Sequence, residues 1–290
     1  MSLYIKKAFK ITQENLIVAQ PLIIFLIIIS LTTAALATQT NKAAYIVFLV
    51  ANVLLATAFF AGWFYMIKKT IDHNKKAENG GYSSDKDRAE ASFALGKYFF
   101  PGVGEYFLPV TFTMIFYVIV YLLLLFISIK AGQHFLPKPD LDWNQFMAAA
   151  NSTPEQMQKY VYSLSYAQLK AINLWMLFVG GVVSIFTFLT MFLFPALIDN
   201  CENRNPDKNK KDNFLFIPFN SFNKNLVFIF KNFFGVLGLL VFLFALNIVL
   251  SLFSLLFSIN IILSVVGLLI SFYFMTYGFV LIFLYYDEKK

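Results

Sequence analysis

Apolar residues gather in long unbroken runs along the chain, and the polar residues that separate them are rich in lysine. About 20 consecutive apolar residues are needed to cross the hydrocarbon core of a bilayer. Four runs of that kind cover residues 17–37, 44–67, 107–129 and 172–198. After Asn225 the chain stays apolar almost to Tyr286. As a single helix that stretch would measure about 90 Å, three times the core thickness, so it must turn back. Polarity rises at Ser254, Ser258 and Asn260, and the pattern predicts spans over 230–253 and 261–286. The expected fold class is all-α, a polytopic membrane bundle of six transmembrane helices forming one membrane domain over 1–290.

Lysine and arginine flank the spans unevenly. Lys6, Lys7 and Lys10 precede the first span; Lys68, Lys69, Lys75, Lys76, Lys86, Arg88 and Lys97 lie between the second and third. Arg204, Lys208, Lys210, Lys211 and Lys224 lie between the fourth and fifth, and Lys289 and Lys290 follow the sixth. The alternate connections are poor in basic residues: Lys42 in one, none in another, and Lys130, Lys138, Lys159 and Lys170 spread through a long third. The positive-inside rule then places both termini in the cytoplasm. The first run ends in AALA, as a signal peptide would, but it is longer than the usual apolar stretch of about 7–15 residues and is read as a retained span.

The stretch KKTIDHNKKAENGGYSSDKDR, residues 68–88, is on this reading a solvated cytoplasmic loop. Its lysines are nearly balanced by Asp72, Glu78, Asp85, Asp87 and the nearby Glu90, and arginine occurs only at Arg88 and Arg204. Sustained nucleic-acid binding needs a surplus of phosphate-neutralising cations, for which arginine is the favoured side chain; no nucleic-acid partner is expected.

A threefold grammar runs through the chain. Each repeat has a short amphipathic lead, a break, an outgoing span and a return span. The leads are SLYIKKAFKIT, AEASFALGKYF (ended by Pro101-Gly102) and FIPFNSFNKN, each holding a small residue followed by Phe: Ala8-Phe9, Ser92-Phe93 and Ser221-Phe222. One apolar face with lysine or asparagine opposite suits either a helix in the headgroup plane or a short elbow packed on the bundle. The middle repeat carries an outer insertion over 131–170. There Asp140 or Asp142 is placed to cap a helix ending at Ala150. Thr153-Pro154-Glu155-Gln156 reads as the start of a second, running to about Lys170.

Composition agrees with the spans: 59% of residues are hydrophobic, only 13% are charged, and the mean hydropathy is +0.68. A soluble domain carries about 25% charged residues. One cysteine, Cys201, and two distant histidines, His73 and His134, exclude a disulfide within the chain and a cysteine or histidine metal cluster. Cys201 stands either as a surface acylation site or as a neutral cysteine, and the neutral cysteine is the expectation. None of the nucleophile-elbow, zinc-helix or P-loop motifs is present. No acid or base sits near a span centre, where ionisable groups usually mark function. A non-enzymatic protein with no cofactor and no metal is expected.

The polar residues left inside the spans are mild. Asn52, Tyr117, Tyr121, Asn247, Tyr273 and Tyr277, joined by Thr187, Thr190 and Thr276, form either a polar seam lining a ligand cavity or ordinary interhelical hydrogen bonds. Ala58-x-x-x-Gly62, Gly180-x-x-x-Ser184 and Gly267-x-x-x-Ser271 mark candidate close helix approaches. Pro21, Pro109 and Pro195 each fall near the basic end of a span, where they can kink it.

FPALIDNCENRNP, then FNSFNKNLVFIFKNFFGVLGLL, then the closing YGFVLIFLYYDEKK resemble a group of six-helix prokaryotic integral membrane proteins. The group includes the membrane domain attached to some glycerophosphodiester phosphodiesterases. Phe194, Pro195, Ser221, Phe222, Asn232, Phe233, Tyr285 and Tyr286 carry the resemblance. It implies a six-helix membrane fold in a prokaryotic inner membrane. It implies no activity, because no soluble phosphodiesterase domain is present. The expected role is an accessory or scaffold protein, with membrane lipid and a protein as candidate partners. The rival expectation is a carrier of lipid or another apolar amphiphile.

Overall fold

The computed structural model describes residues 1–37, 41–82, 84–203, 216–257 and 260–290. Among them are twelve α-helices, two 3-10 segments and no strand. Helix α1 (Ser2–Glu14) leads through a 3-10 turn (Leu16–Ala19) into α2 (Gln20–Ala37), and α3 (Lys42–Glu78) returns. Helix α4 (Asp85–Phe93) and a second 3-10 turn (Ala94–Tyr98) lead into α5 (Phe99–Phe135). After α6 (Trp143–Ala150) and α7 (Pro154–Ser163), α8 (Tyr166–Thr190) and α9 (Leu193–Glu202) form the second return. Finally α10 (Ile217–Lys231) leads into α11 (Phe233–Phe257), and α12 (Ile261–Lys289) returns. Among the described residues six stretches are long and apolar enough to cross a membrane, within Leu16–Leu36, Lys42–Glu78, Lys86–Phe135, Tyr166–Glu202, Phe233–Ser254 and Ile262–Lys289. The protein is an all-α, membrane-integral helix bundle.

The chain forms two compact parts, residues 1–116 with 189–290, and residues 117–188. In the first, the three return helices α3, α9 and α12 pack against one another. Phe64 is their meeting point, with ring centroids 4.8 Å from Phe194, 5.6 Å from Phe279 and 5.5 Å from Phe283. Around this trio the three leads are arranged cyclically. The second lead's 3-10 turn packs on α3, α10 packs on α9, and α1 packs on α12. Each lead therefore rests on the return helix of the repeat before it, and the first rests on the last.

The leads are elbows with a buried face. Ala8, Ile11 and Thr12 of α1 are buried, as are Ser221 and Asn225 of α10 and Leu95 of the second lead. Phe9 and Phe93, which follow the small residues, are exposed. Leads one and three stop at an asparagine whose amide donates to the carbonyl four residues back, Asn15 to Ile11 at 2.8 Å and Asn232 to Phe228 at 3.1 Å. Trp63 is fully buried, and its Nε1 donates to the Val18 carbonyl at 2.8 Å, pinning the first elbow to α3.

Four boundaries differ from the sequence reading. Helix α3 does not end at the membrane edge; it runs through Glu78, so the first half of the supposed loop is helical. Thr70, Ile71 and Asn74 are buried there, and Lys68, Lys69 and Lys75 bond to partners on other helices. Span four is not one helix: it breaks at Met191–Phe192, because Pro195 can offer no N–H to continue the ladder. Pro101 does not end the second lead but sits in the first turn of α5, where its missing N–H costs nothing. Helix α7 stops at Ser163, and α8 begins after a reciprocal capping box in which Ser165 N and Gln168 Oε1 lie 2.8 Å apart. Pro109, by contrast, stays inside a continuous α5.

The insertion begins as its sequence indicates. Asp142 caps α6 through the N–H groups of Asn144 and Gln145 at 2.9 and 3.2 Å. Thr153 makes no side-chain cap for α7. Asn260 caps α12 through the N–H of Ile262 at 2.9 Å, consistent with a reversal there, while Ser258 lies outside the described residues. At Gly62 an added Cβ would stand 2.7 Å from the Phe99 carbonyl oxygen, and at Gly267 2.8 Å from the Phe257 side chain, so both glycines serve close approach. Gly180 has open space around it and does not.

Candidate functional site

The polar residues anticipated inside the spans have separate partners. Asn52 Oδ1 accepts a hydrogen bond from Thr32 Oγ1 at 2.5 Å, joining α2 to α3. Tyr277 is buried and donates to the Ile5 carbonyl at 3.4 Å, and Tyr273 lies edge-on to Phe9 at 6.0 Å. Both therefore fasten the first lead to α12. Tyr117 and Tyr121 belong to the second part, stacked on each other at 6.4 Å and flanked by Phe186 at 4.9 and 5.6 Å. Asn247 is exposed on α11 and lines a groove of about 500 Å³ between α11 and α12. Ser251, Ser254 and Ser271 are its other polar lining; Leu243, Phe274 and Ile282 are among the apolar. Asn52, Tyr273 and Tyr277 do not line it.

The polar chemistry concentrates instead at the lysine-rich end, in an arrangement the sequence reading missed. Near its end each return helix has two buried residues and then an aspartate: Thr70-Ile71-Asp72, Leu197-Ile198-Asp199 and Tyr285-Tyr286-Asp287. Lys68 bridges Asp72 at 2.6 Å and Asp287 at 3.2 Å. Lys290 bridges Asp287 at 3.1 Å and Asp199 at 2.5 Å. Lys75 is a further partner of Asp287. Lys69 reaches Glu202 at 2.9 Å, and Lys7 reaches Glu288 at 2.6 Å and Glu78 at 3.0 Å. The Asp287 side chain is only 6% exposed, so its own contacts act at a poorly solvated position. Burial opposes the charge of Lys7, but hydrogen bonds and attraction from Glu288 and Glu78 together outweigh it and raise the lysine above its ordinary value. The recurring aspartate after a buried pair was the available signal.

Among the described residues no group of three His, Cys, Asp or Glu is placed to hold a metal ion. Cys201 lies half-buried on α9. Two more cavities flank the second lead. One, of about 250 Å³, is lined by Lys69, His73, Lys76, Tyr82, Lys97 and Tyr98 together with Asp72. The other, of about 450 Å³, is an apolar groove between α2, α3 and the start of α5.

No family model matches the chain, and neither the curated proteins nor the solved structures hold one that does.

Proposed function

We propose that this protein is a non-enzymatic accessory or scaffold protein of a prokaryotic cytoplasmic membrane, with both termini in the cytoplasm. The observation that supports it most is the use made of its charges. Asp287, Asp199 and Glu288 are engaged by lysines across α1, α3 and α12. Such a layer fixes the three return helices as a rigid platform, the attribute a docking protein needs. The resemblance in the last third of the chain fits this setting. The deciding experiment is extraction into polymer nanodiscs followed by mass spectrometry against bulk membrane. A protein recovered at near one-to-one ratio supports the accessory role; its absence, with one lipid strongly enriched, overturns it.

A second reading, carriage of lipid or another apolar amphiphile, is favoured by the groove at Asn247, whose serines and asparagine offer polar anchors on an apolar wall. Asn247→Leu would reduce the enriched lipid if this groove holds it, and leave it unchanged if the groove is only a packing gap.

A further inference from the structure

Two cavities of opposite character adjoin along one face of α3. Leu55, Ala58, Phe59 and Met66 line the apolar groove; Lys69, His73 and Lys76 line the basic pocket. Steps of three and four residues keep these positions on one helical stripe. The cavities also meet on their opposite wall, where Gly96 lines the groove and the next residue, Lys97, lines the pocket. From Leu55 to Lys69 the rise along α3 is about 21 Å. One leaflet of hydrocarbon is about 15 Å deep, half of the full core. The pair thus has the length and the polarity gradient of a single lipid molecule lying along the helix.

The pocket is built for an anion. Asp72 is already engaged by Lys68 and Lys69, and Lys69 also by Glu202. Lys76 and Lys97 have no carboxylate partner among the described residues; their ammonium groups lie over the rings of Tyr82 and Tyr98, at 5.0 and 5.5 Å. Tyr82 is delivered by the chain reversal after α3. Gly80 adopts φ +70°, and the N–H groups of Gly80 and Gly81 close the helix end on the carbonyls of Ala77 and Lys76. The reversal sets the Tyr82 hydroxyl 2.5 Å from His73 Nδ1. When that hydroxyl donates to Nδ1, the neutral ring carries its proton on Nε2, a further donor for an oxyanion. Burial and the neighbouring Tyr98 raise the Tyr82 hydroxyl against the pull of Arg88, so it stays protonated at neutral pH.

We infer that this composite site binds an anionic phospholipid, its phosphate held by Lys76, Lys97 and His73 and one acyl chain laid in the groove beside Leu55 and Phe59. The groove alone would accept any apolar chain, and the pocket alone any small phosphate; their junction at Met66–Lys69 and Gly96–Lys97 selects a molecule with both. The inference is independent of the accessory role, since a docking protein can also carry a bound lipid.

The test uses the full chain in detergent, titrated with dioleoyl phosphatidylglycerol, dioleoyl phosphatidylcholine or inorganic phosphate and followed by native mass spectrometry. One retained phosphatidylglycerol per chain is expected, with phosphatidylcholine weaker. The double variant Lys76→Gln, Lys97→Gln removes two cations near the surface and should weaken phosphatidylglycerol about 30-fold, at roughly a tenfold factor per 1.4 kcal/mol. Lys76→Arg with Lys97→Arg should restore it. Ala58→Trp, which fills the groove, should weaken both lipids. Equal binding of the two lipids, or unchanged phosphatidylglycerol in a folded Lys76→Gln, Lys97→Gln variant, overturns the site. Inorganic phosphate binding as tightly as the lipid would assign the pocket to free phosphate and overturn the lipid.

Discussion

The backbone N–H of Phe192 donates to Oδ1 of Asn225, 33 residues later, at 3.0 Å, and the same side chain returns a hydrogen bond to the Leu189 carbonyl at 2.6 Å. The amide of Asn225 thereby pairs two backbone groups at the break in the fourth span. It is fully buried and ties the third lead to the second return helix. Asn225→Leu would leave a donor and an acceptor unpaired and should cost about 3 kcal/mol. The check is the unfolding midpoint of the purified protein in detergent; a midpoint equal to the parent's would show that water replaces the amide without loss.

Ser221, one turn earlier on α10, presents the reverse situation. Its hydroxyl is buried and has no hydrogen-bond partner, the one such side-chain atom among the described residues. The corresponding position of the first lead is Ala8, also fully buried. Ser221→Ala should stabilise by about 1 kcal/mol by removing a desolvated group of almost the same size, visible as a raised midpoint.

Asp287 joins Lys68, Lys75 and Lys290. Asp287→Asn keeps the shape but leaves Lys75 without a carboxylate and takes one of two from Lys68 and from Lys290 at a poorly solvated position, and should cost about 3 kcal/mol. The same midpoint measurement decides it, and a change of only a few tenths would show the layer to be well hydrated.

Lys290 gives the layer a pH signature. Burial opposes its charge, but hydrogen bonds and attraction from Asp199 and Asp287 outweigh that and lift it above the ordinary lysine value of 10.5. A folded value above the unfolded one means that its contribution is complete below 10.5 and fades as pH rises through the folded value. Stability from this pair should be flat across neutral pH and fall only in strong alkali. Lys290→Met should lower the neutral midpoint and make the alkaline fall shallower; an unaltered alkaline fall would assign it to other groups.

Gly62 and Gly104 separate two uses of glycine. A side chain at Gly62 would run into the backbone oxygen of Phe99, whereas Gly104 in α5 has nothing within 4 Å. Gly62→Val should destabilise by about 2 kcal/mol through overpacking, and Gly104→Ala should stabilise by up to about 1 kcal/mol through helix propensity. Opposite shifts of the midpoint are expected from the pair.

The spans were legible because hydrocarbon thickness imposes a minimum apolar length that few other structures need. The cap at Asp140 or Asp142, the reversal at Asn260 and the three leads were legible for a similar reason: a polar side chain at a helix end or an amphipathic stripe is a local signal. The extension of α3 was not, because Lys68 and Lys75 read as solvated residues until Asp287, more than 200 positions away, supplies their partner. The break before α9 was hidden likewise: Pro195 announced a disturbance, but whether it became a kink or an interruption depended on Asn225. Of the polar residues in the spans, the positions were legible in the sequence but neither their burial nor their partners: Asn247 is exposed and Tyr277 buried. Tyr277 turned out to meet α1, and Asn52 to meet Thr32.

The cyclic seating of the leads has a consequence for the order in which the molecule is assembled. The second and third leads find the helix they rest on just behind them, already synthesised. The first must wait for α12, and the Lys7–Glu288 contact that closes the circle joins residues 281 positions apart. Joining ends so distant adds little entropic penalty, since loop closure grows only logarithmically with length, but it cannot happen early. The apolar face of α1, with Ala8 and Ile11, therefore stays without its native seat through most of biosynthesis. Chains halted before α12 should be far more sensitive to proteolysis at the first lead than chains that have completed it.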